Sequence, residues 1–240
     1  YWVHIVTPIP AGIARPLIDG LRNEVIVRSD KSQRLFPDIH PLDYQSAVSL
    51  ALEDLDAHHV ETSWSDSLVS SQGDIRPVVL TTVEGMIIEQ RQRVAQVPPA
   101  TAYRVFSSLG GQNGWLYFNW AWRIRGIMDR LVGGVGLRRG RRDPEDVRVG
   151  DAIDFWRVEV VEPGRLLRLR AEMKVPGRAW LQFEAAPHQG QQTLLTQTAY
   201  FAPKGLSGLA YWYLLYPFHR LIFSGMIERV VSKAEEARGA

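Results

Sequence analysis

The sequence predicts an α+β fold in which a curved antiparallel sheet is closed by one long C-terminal helix. Two observations carry this expectation. Four strand-like runs follow one another from Ala152 to Phe201, each ended by a Pro or Gly turn: Pro163-Gly164, Pro176-Gly177, Pro187 with Gly190, and Pro203. That spacing is the grammar of an antiparallel meander. Gly205–Glu236 then reads as a single helix, apolar on nearly every side for about five turns before it becomes amphipathic. A sheet with one apolar face needs a cover, and a helix of this length supplies it.

Taken in order, Tyr1–Val6 reads as a short strand and Ala14–Leu21 as a helix with Pro16 in its first turn, where proline is tolerated. Asn23–Arg28 alternates into a strand, Ser29–Arg34 is a charged loop, and Asp43 is placed to cap a helix over Tyr44–Leu55. These first 57 residues are too few to close a core alone. The serine-rich stretch 58–83 reads as a linker with one irregular strand at Val78–Leu80. From 84 to 240 the pattern tightens. Glu84–Val97 is a strand, Pro98 and Pro99 open a helix over Ala100–Leu109, and Gly110, Gly111 and Gly114 break it. Trp115–Leu131 is a second helix, and Gly133–Arg142 is a glycine- and arginine-rich loop. In the meander, strands are expected at Ala152–Glu162, Arg165–Val175, Arg178–Ala186 and Gln191–Phe201. Leu167, Leu169, Ala171 and Met173 share one face, and Arg168, Arg170, Glu172 and Lys174 share the other.

Composition is that of an ordinary globular protein, with 45% hydrophobic and 22% charged residues among 240. A net charge of +2 supplies no overall field toward nucleic acid or an anionic membrane. The absence of cysteine excludes disulfides, thiolate metal sites and cysteine nucleophiles, and it fits a cytoplasmic protein. No basic-then-apolar leader opens the chain, and its first residue is Tyr1, so a fragment or processed chain is expected. The run 206–227 is long enough to span a bilayer, but Pro217, His219 and Arg220 interrupt it and favour a buried helix.

The order strand, two short helices, meander and terminal helix resembles the helix-grip fold of the START and birch-pollen-allergen superfamily. That resemblance implies a cavity for an apolar ligand between sheet and helix. A closer resemblance lies in WLYFNWAWRIRGIMDRLVGGVGLRRGRRDP, in VGDAIDFWRVEVVEPGRLLRLRAEMKVPGRAWLQF and in YWYLLYPFHRLIFSGM. These stretches look like an uncharacterised bacterial domain of unknown function that is commonly fused behind an atypical short-chain dehydrogenase/reductase. VTPIPAGIARPLIDGLRNEVIVR, within residues 1–57, resembles the closing segment of that reductase, a small α/β remnant of a Rossmann-type domain. The resemblance implies an upstream reductase-like partner domain and NAD(P) in a longer parent. No cofactor is expected within these residues. No GxGxxG follows a strand, no Walker loop is present, and Tyr44-Gln45-Ser46-Ala47-Val48 carries Val where a Tyr-x-x-x-Lys pair needs lysine.

Several residues invite chemistry. Arg138, Arg139, Arg141 and Arg142 sit in a glycine-rich loop that could cradle an anion, or they bridge to Asp129, Asp143, Glu145 and Asp146. As a nucleic-acid footprint the loop is too small and lacks a stacking platform. His219 and Arg220 interrupt the apolar helix; Arg220 pairs with Glu159, Glu172 or Glu184, or holds a ligand anion. The histidines show no metal spacing, and no serine lies in a Gly-x-Ser-x-Gly elbow, so neither a metal nor a catalytic residue is expected. Meander carboxylates are explained by cross-strand ion pairs on a wet face.

The leading expectation is a binding module for a small apolar or amphipathic ligand. Its cavity lies between the sheet and Tyr211–Phe223, walled by Trp120, Trp122, Phe155, Tyr211, Tyr213 and Phe223, with Arg157, His219 and Arg220 as polar groups. Two alternatives stand beside it: completion of a reductase active site, and peripheral membrane contact through the Trp212–Phe223 face.

Overall fold

The computed structural model describes residues 11–24, 26, 29–56, 85–137 and 140–238. The chain divides into two compact units, Tyr1–Ser63 and Trp64–Ala240. The first unit contains helices α1 (Ala11–Gly20), α2 (Lys31–Leu35) and α3 (Tyr44–Asp56). α1 begins three residues earlier than expected and so takes Pro16 into its interior. The charged loop at 29–34 is instead mostly α2, held by two bonds from the Arg34 guanidinium to Asp30 Oδ2 at 2.9 and 2.7 Å. Asp43 caps α3 as its sequence position requires, accepting from Ser46 N at 2.9 Å. The strand at Tyr1–Val6 and the linker with its strand at Val78–Leu80 lie outside the described residues. So does half of the strand at Asn23–Arg28, whose described members Asn23, Glu24 and Ile26 are not in a strand. No described side chain from Arg15 to Asp54 is buried.

The second unit is built on one six-stranded antiparallel sheet, in the order β1-β6-β5-β4-β3-β2. The strands are β1 (Ile87–Ala95), β2 (Ala152–Ile153), β3 (Trp156–Glu162), β4 (Leu166–Ala171), β5 (Gly177–Pro187) and β6 (Thr193–Pro203). The four-run meander is present, and β1 closes against its last strand, with Glu89 opposite Ala199 and Arg91 opposite Gln197. Helices α4 (Pro99–Ser107), α5 (Asn119–Leu131) and α6 (Gly205–Glu236) complete the unit. The α+β, helix-grip reading holds: α6 packs across β1 and β6 and against α4. The core lies between them. Leu167, Leu169, Leu181, Phe183, Ala185 and Leu195 face Phe106 of α4 and Met226, Ile227, Val230 and Ala234 of α6, all in one buried cluster. Phe106 stacks on Phe183 with centroids 5.6 Å apart.

Three local expectations are corrected. The first meander run is not one strand, because Asp154 takes φ 54° and folds β2 back on β3. Aspartate is among the few side chains that accept this left-handed backbone. The helix expected from Trp115 starts only at Asn119. Leu116 and Phe118 have φ of 61° and 49°, and Asn119 Oδ1 accepts from Trp115 N at 2.8 Å. This detour sends the Trp115 ring inward, where its Nε1 donates to Asp154 Oδ2 at 2.8 Å, against Trp122, Phe155 and Trp156. Finally, α6 is not buried on every side. It inserts one stripe through Gly208, Trp212, Phe223, Met226, Ile227 and Val230, while Leu206, Tyr213, Leu214, Phe218 and Leu221 are exposed. A single helix lying on one sheet face has only one side in contact. Among the described residues no helix is long and apolar enough to cross a membrane.

Candidate ligand site between β1, β6 and α6

Most of the inner sheet face is aliphatic or aromatic, but its β1 corner is not. Pairing of Glu89 with Ala199 and of Arg91 with Gln197 puts these side chains on the same face as the buried Leu181 and Phe183. Arg91 is the hub. Its Nη2 donates to Glu89 Oε1 at 2.6 Å and to the Arg220 carbonyl at 3.3 Å, and its Nε donates to Ser224 Oγ at 3.0 Å. The ion pair is largely withdrawn from water, with side chains 13% and 11% exposed. Strand and helix are thus stitched together by one guanidinium whose charge is locally balanced.

His219 reaches the same region from α6. Its ring lies between Trp212 and Phe223, with centroids at 5.2 and 5.4 Å. Trp212 stacks in turn on Phe201 of β6 at 5.3 Å. Burial, reinforced by the nearby cations of Arg125 and Arg91, pushes the His219 pKa down to about 4, so the imidazole is neutral at pH 7. Arg125 of α5 donates to the Tyr211 hydroxyl at 3.0 Å, and burial raises the pKa of that phenol. Glu89 Oε2, Gln197 Oε1 and His219 Nδ1 are buried without a hydrogen-bond partner among the described residues. Buried polar atoms are rarely left so. The arrangement offers acceptors and a neutral imidazole, beside an aromatic wall, to the polar end of a small molecule. Ser224 Oγ accepts from the Arg91 guanidinium, and among the described residues no base accepts its proton.

The expected cavity residues separate into distinct places. Tyr211, His219 and Phe223 lie along the inner side of α6. Trp122 and Phe155 belong to the aromatic cluster around Trp115, with no ring contact to His219. Trp120 and Tyr213 are 60% and 68% exposed and wall no interior, because they project from the outer sides of α5 and α6, away from the buried Trp122 and Trp212. Arg220 is also exposed and meets none of its expected partners. Of those partners, Glu172 pairs with Arg157 and Glu184 with Arg165. Arg157 points to the sheet face opposite its neighbour Trp156, where Nε and Nη2 donate to Glu172 at 3.2 and 3.1 Å and Nη1 to the Gly150 carbonyl at 2.7 Å. With side chains 4% and 1% exposed, this pair also overturns the wet-face expectation for Glu172.

The arginine-rich loop is a structural knot. Arg141 donates to the carbonyls of Leu109, Asp143 and Asp146, and Arg142 is bidentate to Asp151 at 3.1 Å. These two guanidiniums are therefore engaged internally; Arg138 and Arg139 lie outside the described residues. Among the described residues no group of His, Asp and Glu is arranged to hold a metal.

Sequence reasoning missed Glu89, Arg91, Gln197 and Ser224. One signal was available. Glu89, Arg91 and Arg93 occupy one parity of β1 and Gln90 and Gln92 the other, so whichever face turned inward had to bury polar groups.

A family model described as Protein of unknown function (DUF2867) matches residues 87–226. The chain belongs to that family. The DUF2867 match spans β1 through the first two-thirds of α6 and includes Glu89, Arg91, Gln197, His219 and Ser224. No curated protein matches the chain. Solved structures with some likeness to this DUF2867 protein include protein CV1439 from Chromobacterium violaceum, at 16% identity and TM-score 0.36, covering 64% of this chain and 99% of that one. The ZhuI aromatase/cyclase from Streptomyces sp. R1128 shows 15% identity and TM-score 0.38, covering 62% and 94%. Truncated norcoclaurine synthase from Thalictrum flavum shows 8% identity and TM-score 0.35, covering 61% and 91%. Likenesses this distant bear on nothing in the chemistry of this chain.

Proposed function

We propose that the DUF2867 domain binds one small amphipathic molecule between its sheet and α6, without catalysing a reaction by itself. The observation that carries this reading is the polar cluster set into an otherwise apolar interface. Arg91 is already neutralised by Glu89, and the atoms left over are two acceptors, Glu89 Oε2 and Gln197 Oε1, with His219 Nδ1 beside them as donor or acceptor according to its tautomer. The two acceptors fit a ligand whose polar end donates hydrogen bonds, a hydroxyl or an amine, and they disfavour a carboxylate. The apolar body of the ligand lies along Phe201, Trp212 and Phe223. Native mass spectrometry of protein purified without added ligand, followed by thermal-shift titration with matched long-chain alcohols, amines and acids, tests the reading. Expected are a mass adduct lost on denaturation and a stabilisation by alcohol or amine that Gln197→Leu weakens. A clean apo mass with no shift from any of the three series refutes it.

A second reading concerns the first unit. The resemblance of residues 1–57 to the closing segment of a reductase-like domain, with Leu17, Leu21, Phe36 and Leu42 exposed in this unit, supports a parent in which the module presents substrate to an NAD(P)-dependent partner domain. The complete reading frame tests it: a glycine-rich turn after a first strand and a Tyr-x-x-x-Lys pair are expected upstream, and a frame without the glycine-rich turn refutes it.

A further inference from the structure

We infer that the outer faces of α5 and of the first half of α6 dock on an anionic lipid surface. On α5, Trp120, Ile124, Ile127, Met128 and Leu131 recur at helical spacing on one side and are 49% to 81% exposed. On α6, Leu206, Tyr213, Leu214, Phe218 and Leu221 do the same at 52% to 85%. The two helices are tied by the hydrogen bond from Arg125 to Tyr211. Large side chains exposed in such a run mark an interaction surface rather than ordinary scatter.

The charges around this surface choose its occupant. Arg123, Lys204 and Arg220 are exposed beside it and Arg130 is half-buried. From Phe118 to Val132 and from Lys204 to Ile227 the sequence contains one carboxylate, Asp129. That group is fully buried and accepts from Gly136 N at 2.8 Å and Lys174 N at 2.7 Å. Among the described residues these two stretches therefore show cations and no exposed anion, although the whole chain is nearly neutral at +2. A second copy docking through the same patch would set these cations against their equivalents. An anionic bilayer complements them, takes the arginine and lysine stems at its interface, and accepts Trp120, Tyr213, Tyr216 and Phe218 at headgroup depth. The patch ends where α6 turns charged at Glu228 and Arg229. The depth implied is that of a helix lying on the surface.

Flotation of the full chain with vesicles tests this, using phosphatidylcholine alone and phosphatidylcholine with about one-third phosphatidylglycerol. Flotation is expected with the mixed vesicles, reduced about tenfold or more on the neutral ones and on raising salt to about 0.5 M. The Ile124→Glu/Leu214→Glu double variant is expected to lose flotation with an unchanged thermal midpoint, since both side chains are solvent-exposed; Arg123→Glu/Arg220→Glu is expected to lose the preference for anionic vesicles. The inference is overturned if the wild-type chain does not float, or if the apolar double variant floats as well as wild type. It is equally overturned, in favour of a second copy, by a dimer in light scattering that this variant dissociates without any flotation. Ile124 and Leu214, which carry the decisive variant, touch no residue of the ligand site, and Arg220 meets it only through its backbone carbonyl, so the two proposals fail separately.

Discussion

Replacing Asp154 by Asn isolates the titration of His219, because the two groups pull stability in opposite directions over the same pH range. Burial lowers the His219 pKa from 6.5 to about 4. The folded state therefore binds this proton less well than the unfolded state, and stability is lost as pH falls from 6.5 toward 4. The gap of about 2.5 between the two values corresponds to about 3 kcal/mol. Asp154 behaves oppositely. Burial raises its pKa from 3.8 to about 6, against the bonds from Trp115 and Gly111 and the field of Arg141. The folded state holds this proton more tightly, so stability is lost as pH rises from 3.8 through 6, again by about 3 kcal/mol. In the wild-type chain the two slopes largely cancel. Asp154→Asn keeps an acceptor for Trp115 and a residue suited to φ 54°, and it unmasks a loss of about 3 kcal/mol on acidification from pH 6.5 to 4. His219→Gln unmasks the reverse, a loss on raising the pH from 4 to 6. Urea unfolding followed by tryptophan fluorescence at four pH values reads both slopes, with the double variant supplying the background from all other carboxylates. An Asp154→Asn profile parallel to that of the double variant would refute the desolvation of His219.

Two further perturbations test how α6 is seated. Arg91→Met strands Glu89 in a site 11% exposed, and about 3 kcal/mol of stability is expected to be lost; Glu89→Leu/Arg91→Met is expected to recover most of it, and urea midpoints that show no recovery count against the buried pair. Gly225 lets α6 approach Tyr117 so closely that an added Cβ meets the ring at 2.3 Å, so Gly225→Ala is expected to cost about 1–3 kcal/mol despite the better helix propensity of alanine. Introducing Tyr117→Ala in the same chain should remove that penalty, which a double-mutant cycle on thermal midpoints measures.

Local chemistry determined much of the architecture without any tertiary information. Pro163-Gly164 and Pro176 fall between strands, with Gly177 opening β5, so the meander is legible from its turns. Alternation placed Leu167, Leu169, Ala171 and Met173 on one face, and all four are buried. The extent of α6 is readable because the only breakers inside Gly205–Glu236 are Gly208, Pro217 and Gly225, widely spaced, and the helix absorbs all three. Only the tertiary structure decided the site. Period-two alternation says which residues of β1 share a face but not which face turns inward; that is settled by pairing with β6, more than a hundred positions away, at Arg91 opposite Gln197. The same dependence on distant partners sent Arg157 to Glu172 on the far face and turned Trp115 inward to meet Asp154. It also left half of an apolar helix facing outward. Hydrophobicity marks a side chain as wanting cover, but what covers it depends on which surfaces the fold brings alongside.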